Sequence, residues 1–400
     1  MGTPLTILYV TGYGAHEWAL HTPRFLARRG HRVALACPSD SPMERMARQA
    51  GMDVHDWKAP LRLTETRSIA GAVNALYRLF RRQRPDVVVS YALPISLWAR
   101  LAARLAGVPV RLFKPPSLWD LELPHYRMAE YATAWMDSAI LASSRALVRY
   151  YRRAPLGRTP VMLSYYGFPL ERFDPSLDGG GVRHEFGIPS TAPVVTLVAH
   201  LIPPIRRFDP HYGIKGHEVL IRAARDVVKR LPSTRFLIVG AEPEGAARGA
   251  YEAHLKQLAH DHGVDRHVIF TGKRTDIPAI LAASDVAAVP SLSENVGGAV
   301  EPLLMERPVV ASAVGGLPDV VRDGETGYLI PPRDPGALAD ALLHTLTLPA
   351  AARRAMGRRG RAIVQELFDI NCVALTEERI FYHLRGEPVC ATSALDIIKI

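Results

Sequence analysis

Two acidic residues and a pair of glycines lie close together in the stretch SENVGGAVE. Gly297 and Gly298 allow a close backbone approach to a ligand, and they open a predicted short helix whose positive end favours an anion such as a diphosphate. Glu301, further along that helix, is a two-oxygen acceptor that suits the paired hydroxyls of a ribose. Glu294, before the turn with Asn295, can accept hydroxyls of a second sugar. A strand, turn and helix with exposed acids is the alternative.

A lysine stands at the start of a predicted amphipathic helix in the sequence YGIKGHEVLIRAARDV. Because Lys215 and Gly216 precede this helix, the ammonium group opposes the positive end of the helix dipole unless it binds an anion. Arg206 and Arg207, in the proline-flanked loop before it, can add positive charge for the same anion. The sequence therefore predicts an anion site here, with an exposed basic loop as the alternative.

Neither a metal centre nor a disulfide framework is indicated. The cysteines, Cys37, Cys372 and Cys390, are far apart and form no CxxC pair. No DxD-like acidic cluster lies near the predicted anion site, so we expect metal independence and no cofactor. Residues 1–10 do not resemble a signal peptide, and no run of 18 apolar residues occurs, so we expect a cytoplasmic protein.

Short apolar strands alternate with helical patterns along the chain, which is typical of parallel sheets covered by helices on both faces. The strands are predicted at 5–10, 31–37, 85–90, 108–113, 138–143, 194–200, 234–240, 267–272, 285–291, 308–312 and 327–332. The helices are predicted at 68–84, 94–106, 216–231, 249–263, 275–283 and 335–347, with one or two more within 350–385. Two similar α/β halves result, and ligands bind such sheets at the carboxyl ends of the strands.

A change in composition separates the two halves. The Pro- and Gly-rich sequence between them has no long apolar period, which predicts a linker. We expect a first, acceptor-binding domain over 1–180, a linker over 181–193 and a second, donor-binding domain over 194–365. A C-terminal helix and tail over 366–400 are expected to cross back to the first domain.

The positive charge is concentrated in the first half of the chain. Of the formal net charge of +10, all arises in residues 1–190, which hold 25 Lys and Arg against 15 Asp and Glu. This asymmetry indicates an anionic partner such as a phosphate-bearing acceptor or the inner face of a membrane, with a solvated arginine-rich surface as the alternative. No nucleic-acid-binding motif accompanies the charge, so no nucleic-acid partner is expected.

Five separated patterns, in the right order, resemble the retaining, nucleotide-sugar-dependent glycosyltransferases of family 4, which have the GT-B fold of two Rossmann-like domains facing a cleft. The resemblance covers most of the chain and is strongest over 194–332, with FTGKRTDIPAILAASDVAAVPSLSE and VGGLPDVVRDGETGYLIPP. The first half is consistent with it through RRGHRVALACP, DSAILASS and YYGFPLERF.

The resemblance implies roles for particular residues. Lys215 matches the lysine that contacts the donor diphosphate, Glu294 the glutamate near the reacting sugar carbon, and Glu301 the glutamate that holds the ribose. Of these, Lys215 and Glu294 are the implied catalytic pair. The implied donor-binding set is Gly12, Gly14, Arg206, Arg207, Lys215, Gly216, Arg274, Glu294, Asn295, Gly297, Gly298 and Glu301. The candidate acceptor-binding residues are His16, Lys114 and His125.

The sequence departs from the family pattern in three places. Six residues lie between Glu294 and Glu301, where the family has seven, so the turn must differ. His200 stands where the family usually has an arginine, which Arg206 or Arg207 is expected to replace. The histidine often found after the fifth strand is absent from LFKPPSLW, where Lys114 stands instead.

The resemblance implies transfer of a sugar from a nucleoside diphosphate to an acceptor hydroxyl, with retention and without a dedicated protein base. The expected acceptor is a glycan, a lipid-linked molecule or a small molecule, as in polysaccharide or glycoconjugate biosynthesis, or an aminocyclitol in antibiotic biosynthesis. A GT-B-shaped protein that only binds a nucleotide sugar is the alternative. A nicotinamide oxidoreductase is disfavoured because the glycines Gly12 and Gly14 are not followed by a third at the required spacing.

Overall fold

A computed structural model describes residues 3–12, 14, 17–57, 66–93, 95–206, 208–243 and 249–387. The backbone contacts divide the chain into two compact units. The first unit consists of Met1–Pro169 together with Leu367–Ile400, and the second unit is Leu170–Glu366. Among the described residues, no helix is both long enough and apolar enough to span a membrane.

Each unit contains one sheet. The strands of the first are β1 (Thr6–Val10), β2 (Arg32–Pro38), β3 (Asp53–Trp57), β4 (Val87–Ser90), β5 (Val110–Phe113), β6 (Ala139–Ala142) and β7 (Val161–Leu163). Those of the second are β8 (Val194–Val198), β9 (Arg235–Val239), β10 (Val268–Gly272), β11 (Val286–Val289), β12 (Val309–Ser312) and β13 (Gly327–Ile330).

Helices connect the strands. They are α1 (Trp18–Arg28), α2 (Pro42–Gln49), α3 (Thr66–Gln83), α4 (Ile95–Ala106), α5 (Trp119–Glu122), α6 (Pro124–Thr133), α7 (Arg145–Arg153), α8 (Gly180–Glu185), α9 (His217–Arg230), α10 (Ala250–Asp261), α11 (Ile277–Ala282), α12 (Gly297–Leu304), α13 (Pro335–Thr347), α14 (Ala350–Phe368) and α15 (Ile370–Leu384).

The strand order gives both sheets the doubly wound topology. It is β3-β2-β1-β4-β5-β6-β7 in the first unit and β10-β9-β8-β11-β12-β13 in the second, and the paired strands are parallel. The order reverses between β1 and β4 and again between β8 and β11, so each sheet has a switch point where ligands bind. The predicted fold class is confirmed.

The central strands are mostly apolar because both faces of each sheet are covered. On β1, Ile7 packs in one core cluster with Phe381 of α15, and the next residue, Leu8, packs in another with Phe80 of α3. In the second unit, Phe236 and Leu237 of β9 likewise lie in separate clusters. This double burial removes the apolar–polar alternation of a half-exposed strand.

The two edge strands of the first sheet, β3 and β7, are not predicted from the sequence. β3 reads DVHDW, and only Val54 and Trp57 of its five residues are buried. An edge strand has a neighbour on one side only, so it tolerates polar residues and loses the apolar signature of the central strands.

The segment predicted as a linker, 181–193, is part of the second unit instead. It includes most of α8, and Val182, Ile188 and Ala192 are buried in a core cluster with Ile280 of α11. These apolar side chains are isolated in the sequence and make no period, which is why the prediction of a linker fails here.

Candidate functional site

Two loops of the second unit meet at the switch point between β8 and β11. One follows β8 and carries Lys215, and the other follows β11 and carries Glu294. Lys215 Nζ donates a hydrogen bond to Glu294 Oε2 at 2.6 Å, although the residues are 79 positions apart. Their side chains are 23% and 11% exposed, so the pair is partly shielded and still open to solvent.

Backbone contacts hold the lysine loop against the glutamate loop. Leu292 N donates to Ile214 O at 2.8 Å. Gly216 has φ +69°, and a Cβ atom there would lie 2.0 Å from Pro290 O. Any residue with a side chain would therefore clash with this carbonyl oxygen. Glycine at this position therefore allows Lys215 to approach Glu294.

A buried glutamate of α9 holds the backbone of the lysine loop. The sequence does not single out this residue. Glu218, in the first turn of α9, is fully buried. Its carboxylate accepts hydrogen bonds from Gly213 N at 3.0 Å and from the Tyr251 hydroxyl at 2.8 Å. Burial and the neighbouring Glu218 carboxylate raise the pKa of Tyr251 well above its ordinary value, so its hydroxyl stays protonated and donates.

The helix that follows Glu294 presents its N-terminal end at the same loop. α12 begins at Gly297 after Val296, and no side chain caps it. A Cβ atom on Gly297 would meet nothing within 4 Å, so the space beside its backbone is open. The uncapped amides of this turn can receive an anion, as the sequence predicts.

The backbone of Glu294 is held by a second glycine pair. Gly315 has φ +54°, and a Cβ atom there would lie 1.7 Å from Glu294 O. Gly316 N donates to that same oxygen at 3.4 Å. Both glycines belong to the family-like VGGLP sequence, which could have signalled this role in positioning Glu294.

The other predicted residues of the turn lie beside the pair. Glu294 Oε1 accepts a hydrogen bond from Asn295 N at 3.1 Å, and Ser291 Oγ donates to Glu294 Oε2 at 3.3 Å. Asn295 is 9% exposed, and Glu301 is half-buried within α12. These contacts fix the carboxylate of Glu294 toward Lys215.

His200, which follows β8, lies within the electrostatic influence of two lysines. Partial burial lowers the pKa of His200, and the positive charges of Lys215 and Lys273 lower it further. The imidazole is therefore neutral at pH 7. It cannot supply the positive charge of the arginine that the family usually has at this position, whereas Lys273 is a cation that the sequence does not single out.

His217, the first residue of α9, is fully buried, and neither of its ring nitrogens has a hydrogen-bond partner among the described residues. Burial, with the nearby charge of Lys215, lowers the pKa of His217 to about 3. In the unfolded chain the imidazole takes up a proton near pH 6.5, whereas in the folded chain it stays neutral. The free energy of unfolding is therefore highest above that pH and falls as the pH drops.

We expect the His217→Leu variant to lose less stability on acidification than the wild type. Between pH 7 and pH 5 the difference in the free energy of unfolding should be about 2 kcal/mol, measured by urea titration at both values. The exposed His184→Leu variant is the matched control. Equal acid sensitivity in wild type and His217→Leu would contradict a neutral, buried His217.

The prediction that Lys114 binds the acceptor is wrong. Its side chain is fully buried, and Nζ donates to Glu377 of α15, to Tyr165 O at 2.8 Å and to Ser164 Oγ at 3.3 Å. All three ammonium hydrogens thus have acceptors inside the first unit. The sequence could not show this, because Glu377 is 263 positions away.

Arg274 does not join the lysine and glutamate loops in this structure. Its guanidinium contacts Glu185 Oε1 at 2.5 Å and Oε2 at 2.9 Å, and Asp276 Oδ1 and Oδ2 at 2.9 Å and 2.8 Å. Two carboxylates accept hydrogen bonds from the guanidinium N–H groups that would otherwise bind a phosphate. Donor binding by Arg274 stays a prediction, and it would require the guanidinium to exchange these carboxylates for a phosphate.

The remaining predicted residues are dispersed. Gly12 and Gly14 follow β1 at the switch point of the first sheet, and His125 is exposed at the start of α6. Arg206 is exposed and has no ion pair among the described residues. His16 and Arg207 lie outside the described residues.

No group of three or more His, Cys, Asp or Glu that could hold a metal ion occurs within the part of the chain that the structure describes. Metal independence stays a prediction.

The two sheets define the class of protein to which the chain belongs: it has the GT-B architecture of glycosyltransferases. It is similar to a glycosyltransferase from Rickettsia africae, with a TM-score of 0.79, 16% identity, and coverage of 96% of this chain and 99% of the other. It is also similar to Anabaena HepE in complex with UDP, with a TM-score of 0.79, 21% identity, and coverage of 95% and 100%.

The family follows from the sequence matches. Residues 14–167 match the model described as Glycosyl transferase 4-like domain, and residues 205–347 match Glycosyl transferases group 1. The chain belongs to the group 1 glycosyltransferases of family 4 type. D-inositol 3-phosphate glycosyltransferase of Mycobacterium tuberculosis is 36% identical over 196 residues. That match covers 48% of this chain and 37% of the relative, so the chain spans just over a third of the relative's length.

Proposed function

We propose that this protein transfers a sugar from a nucleoside diphosphate sugar to a hydroxyl of its acceptor, with retention at the anomeric carbon. The observation that carries the proposal is the contact of Lys215 Nζ with Glu294 Oε2 at 2.6 Å, beside the uncapped start of α12. A cation, a carboxylate and a helix N-terminus together at a switch point suit a sugar joined to a diphosphate.

The charge of the leaving group gives these residues their roles. Breaking the bond between the anomeric carbon and the phosphate oxygen places negative charge on the departing diphosphate. Lys215 and the amides of Gly297 and Gly298 stabilise this charge more in the transition state than in the ground state, which lowers the barrier. Glu294 orients Lys215 and accepts hydroxyls of the donor sugar.

Retention without a protein base is consistent with the way in which Glu294 is held. Its carboxylate already accepts hydrogen bonds from Lys215, Ser291 and Asn295 N. A carboxylate with these partners is a poor base for the acceptor hydroxyl. In the proposed reaction the acceptor attacks from the face that the diphosphate leaves, and a phosphate oxygen takes the proton.

The donor nucleotide is best identified by binding. HepE is described in complex with UDP and with UDP-glucose, so UDP-sugars are the first candidates. A thermal-shift panel of UDP-, GDP-, ADP- and dTDP-sugars tests the proposal, because a ligand that binds only the folded state raises the melting temperature. No shift with any of the four nucleotides at millimolar concentration would overturn it.

The acceptor is proposed by class. The relative named for D-inositol 3-phosphate favours a phosphorylated small molecule as the first acceptor to test, followed by glycan and lipid-linked hydroxyls. An aminocyclitol is the alternative. Asp120 in the first unit, whose pKa burial raises to about 6, offers a carboxylate for a cationic acceptor of that kind.

Glu301→Ala is expected to weaken binding of the free nucleoside diphosphate by about tenfold to a hundredfold, since each hydrogen bond to a carboxylate contributes about 1.5–3 kcal/mol. Isothermal titration measures the dissociation constant directly. Glu325→Ala, an exposed glutamate in the same unit, is the control. An unchanged constant for Glu301→Ala would remove this residue from the ribose site.

A further inference from the structure

The loop that carries Lys215 is unusually long. Eighteen residues, 199–216, join β8 to α9, whereas a strand-to-helix connection in an α/β unit usually has about 2–6. The conformational entropy of such a connection opposes a fixed position for any side chain on it. Lys215 Nζ nevertheless lies 2.6 Å from Glu294 Oε2. The lysine loop must therefore be anchored to the rest of the second unit.

Asp209 is an anchor within this loop, and it is only 7% exposed. Its Oδ1 accepts hydrogen bonds from His211 N at 2.8 Å and from Tyr212 N at 2.9 Å, and its Oδ2 accepts one from Arg333 Nε at 2.6 Å. Burial raises the pKa of Asp209, but these hydrogen bonds outweigh burial and hold the pKa below its ordinary value. The carboxylate is therefore ionised at neutral pH, and it ties the loop to the residues that follow β13.

Arg333 has a backbone conformation that favours glycine. Its φ is +62°, in the left-handed region where a Cβ atom is disfavoured. Among the described residues of the second unit, Glu306 is the other non-glycine residue with a positive φ, at +55°. Strain of this kind persists where the surroundings hold the residue, and it is concentrated at functional positions. Glycine would relieve the strain at position 333 but could not reach Asp209, so the contact with Asp209 accounts for the arginine.

The residues between Asp209 and Lys215 transmit the position of the anchor. The Tyr212 ring lies 4.9 Å from the Arg222 guanidinium of α9. Leu292 N donates to Ile214 O at 2.8 Å, directly before the lysine. This segment is held at successive residues, so a displacement at its start reaches the ammonium group at its end.

We propose that Asp209 and Arg333 are positioning residues for the transfer reaction. Their ion pair fixes the lysine loop so that Lys215 stands where negative charge develops on the departing diphosphate. This inference rests on the proposed function and adds two residues that lie outside the predicted donor-binding set. Neither residue touches the donor in this assignment, since both act through Lys215.

Steady-state kinetics with the nucleotide sugar that gives the largest thermal shift test the inference. Arg333→Gly is expected to lower kcat at least about tenfold even though it relieves the backbone strain, because a displacement of about 1 Å at a reacting group has effects of this size. Arg333→Lys keeps a cation for Asp209 and should stay within about twofold of the wild type. In the Lys215→Ala background, Arg333→Gly should change kcat by less than about twofold, because both changes act on the same group.

Glu306→Gly is the matched control, since it relieves the same kind of backbone strain elsewhere in the second unit. It should leave kcat unchanged. An equal loss of kcat in Glu306→Gly would overturn the inference, as would a tenfold loss from Arg333→Gly that persists in the Lys215→Ala background.

Amide hydrogen exchange over residues 211–215 measures the loop directly and needs no substrate. We expect exchange at least about tenfold faster in Arg333→Gly than in the wild type, and wild-type rates in Glu306→Gly. Wild-type rates in Arg333→Gly would overturn the inference. Absence of transfer by the wild type from all four classes of donor would contradict the proposed function instead, and the exchange rates then decide whether the ion pair holds the lysine loop.

Discussion

Lys215→Ala is expected to lower kcat at least about tenfold, on the scale of removing one donor that stabilises a developing oxyanion. The structure places Nζ 2.6 Å from Glu294 Oε2 at the start of two helices, where the departing diphosphate would gather charge. Since the charge grows as the bond breaks, the loss should appear in kcat more than in the dissociation constant of the donor.

Two further substitutions make this result specific to the candidate site. Lys229→Ala removes an exposed lysine near the end of α9 that pairs with Asp226, and it should leave kcat unchanged. Lys215→Ala/Glu294→Gln should be less harmful than the sum of the two single changes, because the residues act as a pair. Full turnover by Lys215→Ala would refute the assignment of Lys215.

Glu377→Ala is expected to lower the free energy of unfolding by about 3–5 kcal/mol, and the melting temperature of the first unit by roughly 10 °C. Glu377 and Lys114 are both fully buried, so removal of the carboxylate leaves an ammonium group unpaired inside the unit. Burial lowers the pKa of Lys114, which the Glu377 charge counteracts. Without Glu377 the lysine must lose its proton or the helix must move away.

A matched pair of variants separates the buried charge from loss of packing. Lys114→Met/Glu377→Leu removes both charges and should recover most of the stability, as replacement of a buried ion pair by apolar residues usually does. Glu366→Ala, an exposed glutamate of α14, should change the melting temperature little. Calorimetry of the three variants measures the effect, and equal melting temperatures for Glu377→Ala and wild type would exclude a stabilising pair.

The sequence predicts the central strands and the short motifs that carry Lys215 and Glu294, because both are local patterns. Doubly buried strands are continuous apolar runs, and the predicted neighbours of Lys215 and Glu294 lie within short motifs that the fold brings together at one switch point. The confirmed fold class and family rest on these same motifs. The order of strands and helices was sufficient to predict that these two motifs lie together, since the carboxyl ends of parallel strands share one edge of the sheet.

Features that depend on distant residues escape such patterns. In the sequence Lys114 looks like a cation available to a ligand, but in the fold its charge is paired with Glu377 of α15. Arg274 likewise meets Glu185 from a helix 89 positions earlier. Ion pairs of this kind have no local period or spacing in the sequence. A single sequence therefore does not distinguish a cation that is paired within the fold from one that is available to bind a substrate.

The return of α15 to the first unit has a consequence for the order of folding during synthesis. Glu377 of α15 meets Lys114, and Glu378 meets Arg29 and His31, so the first unit needs side chains that are translated after the whole second unit. At 5–20 residues per second, a ribosome takes about 10–40 s to proceed from Pro169 to Glu377. The second unit is fully translated first, and during that interval the earlier half of the nascent chain lacks the carboxylate that pairs with Lys114.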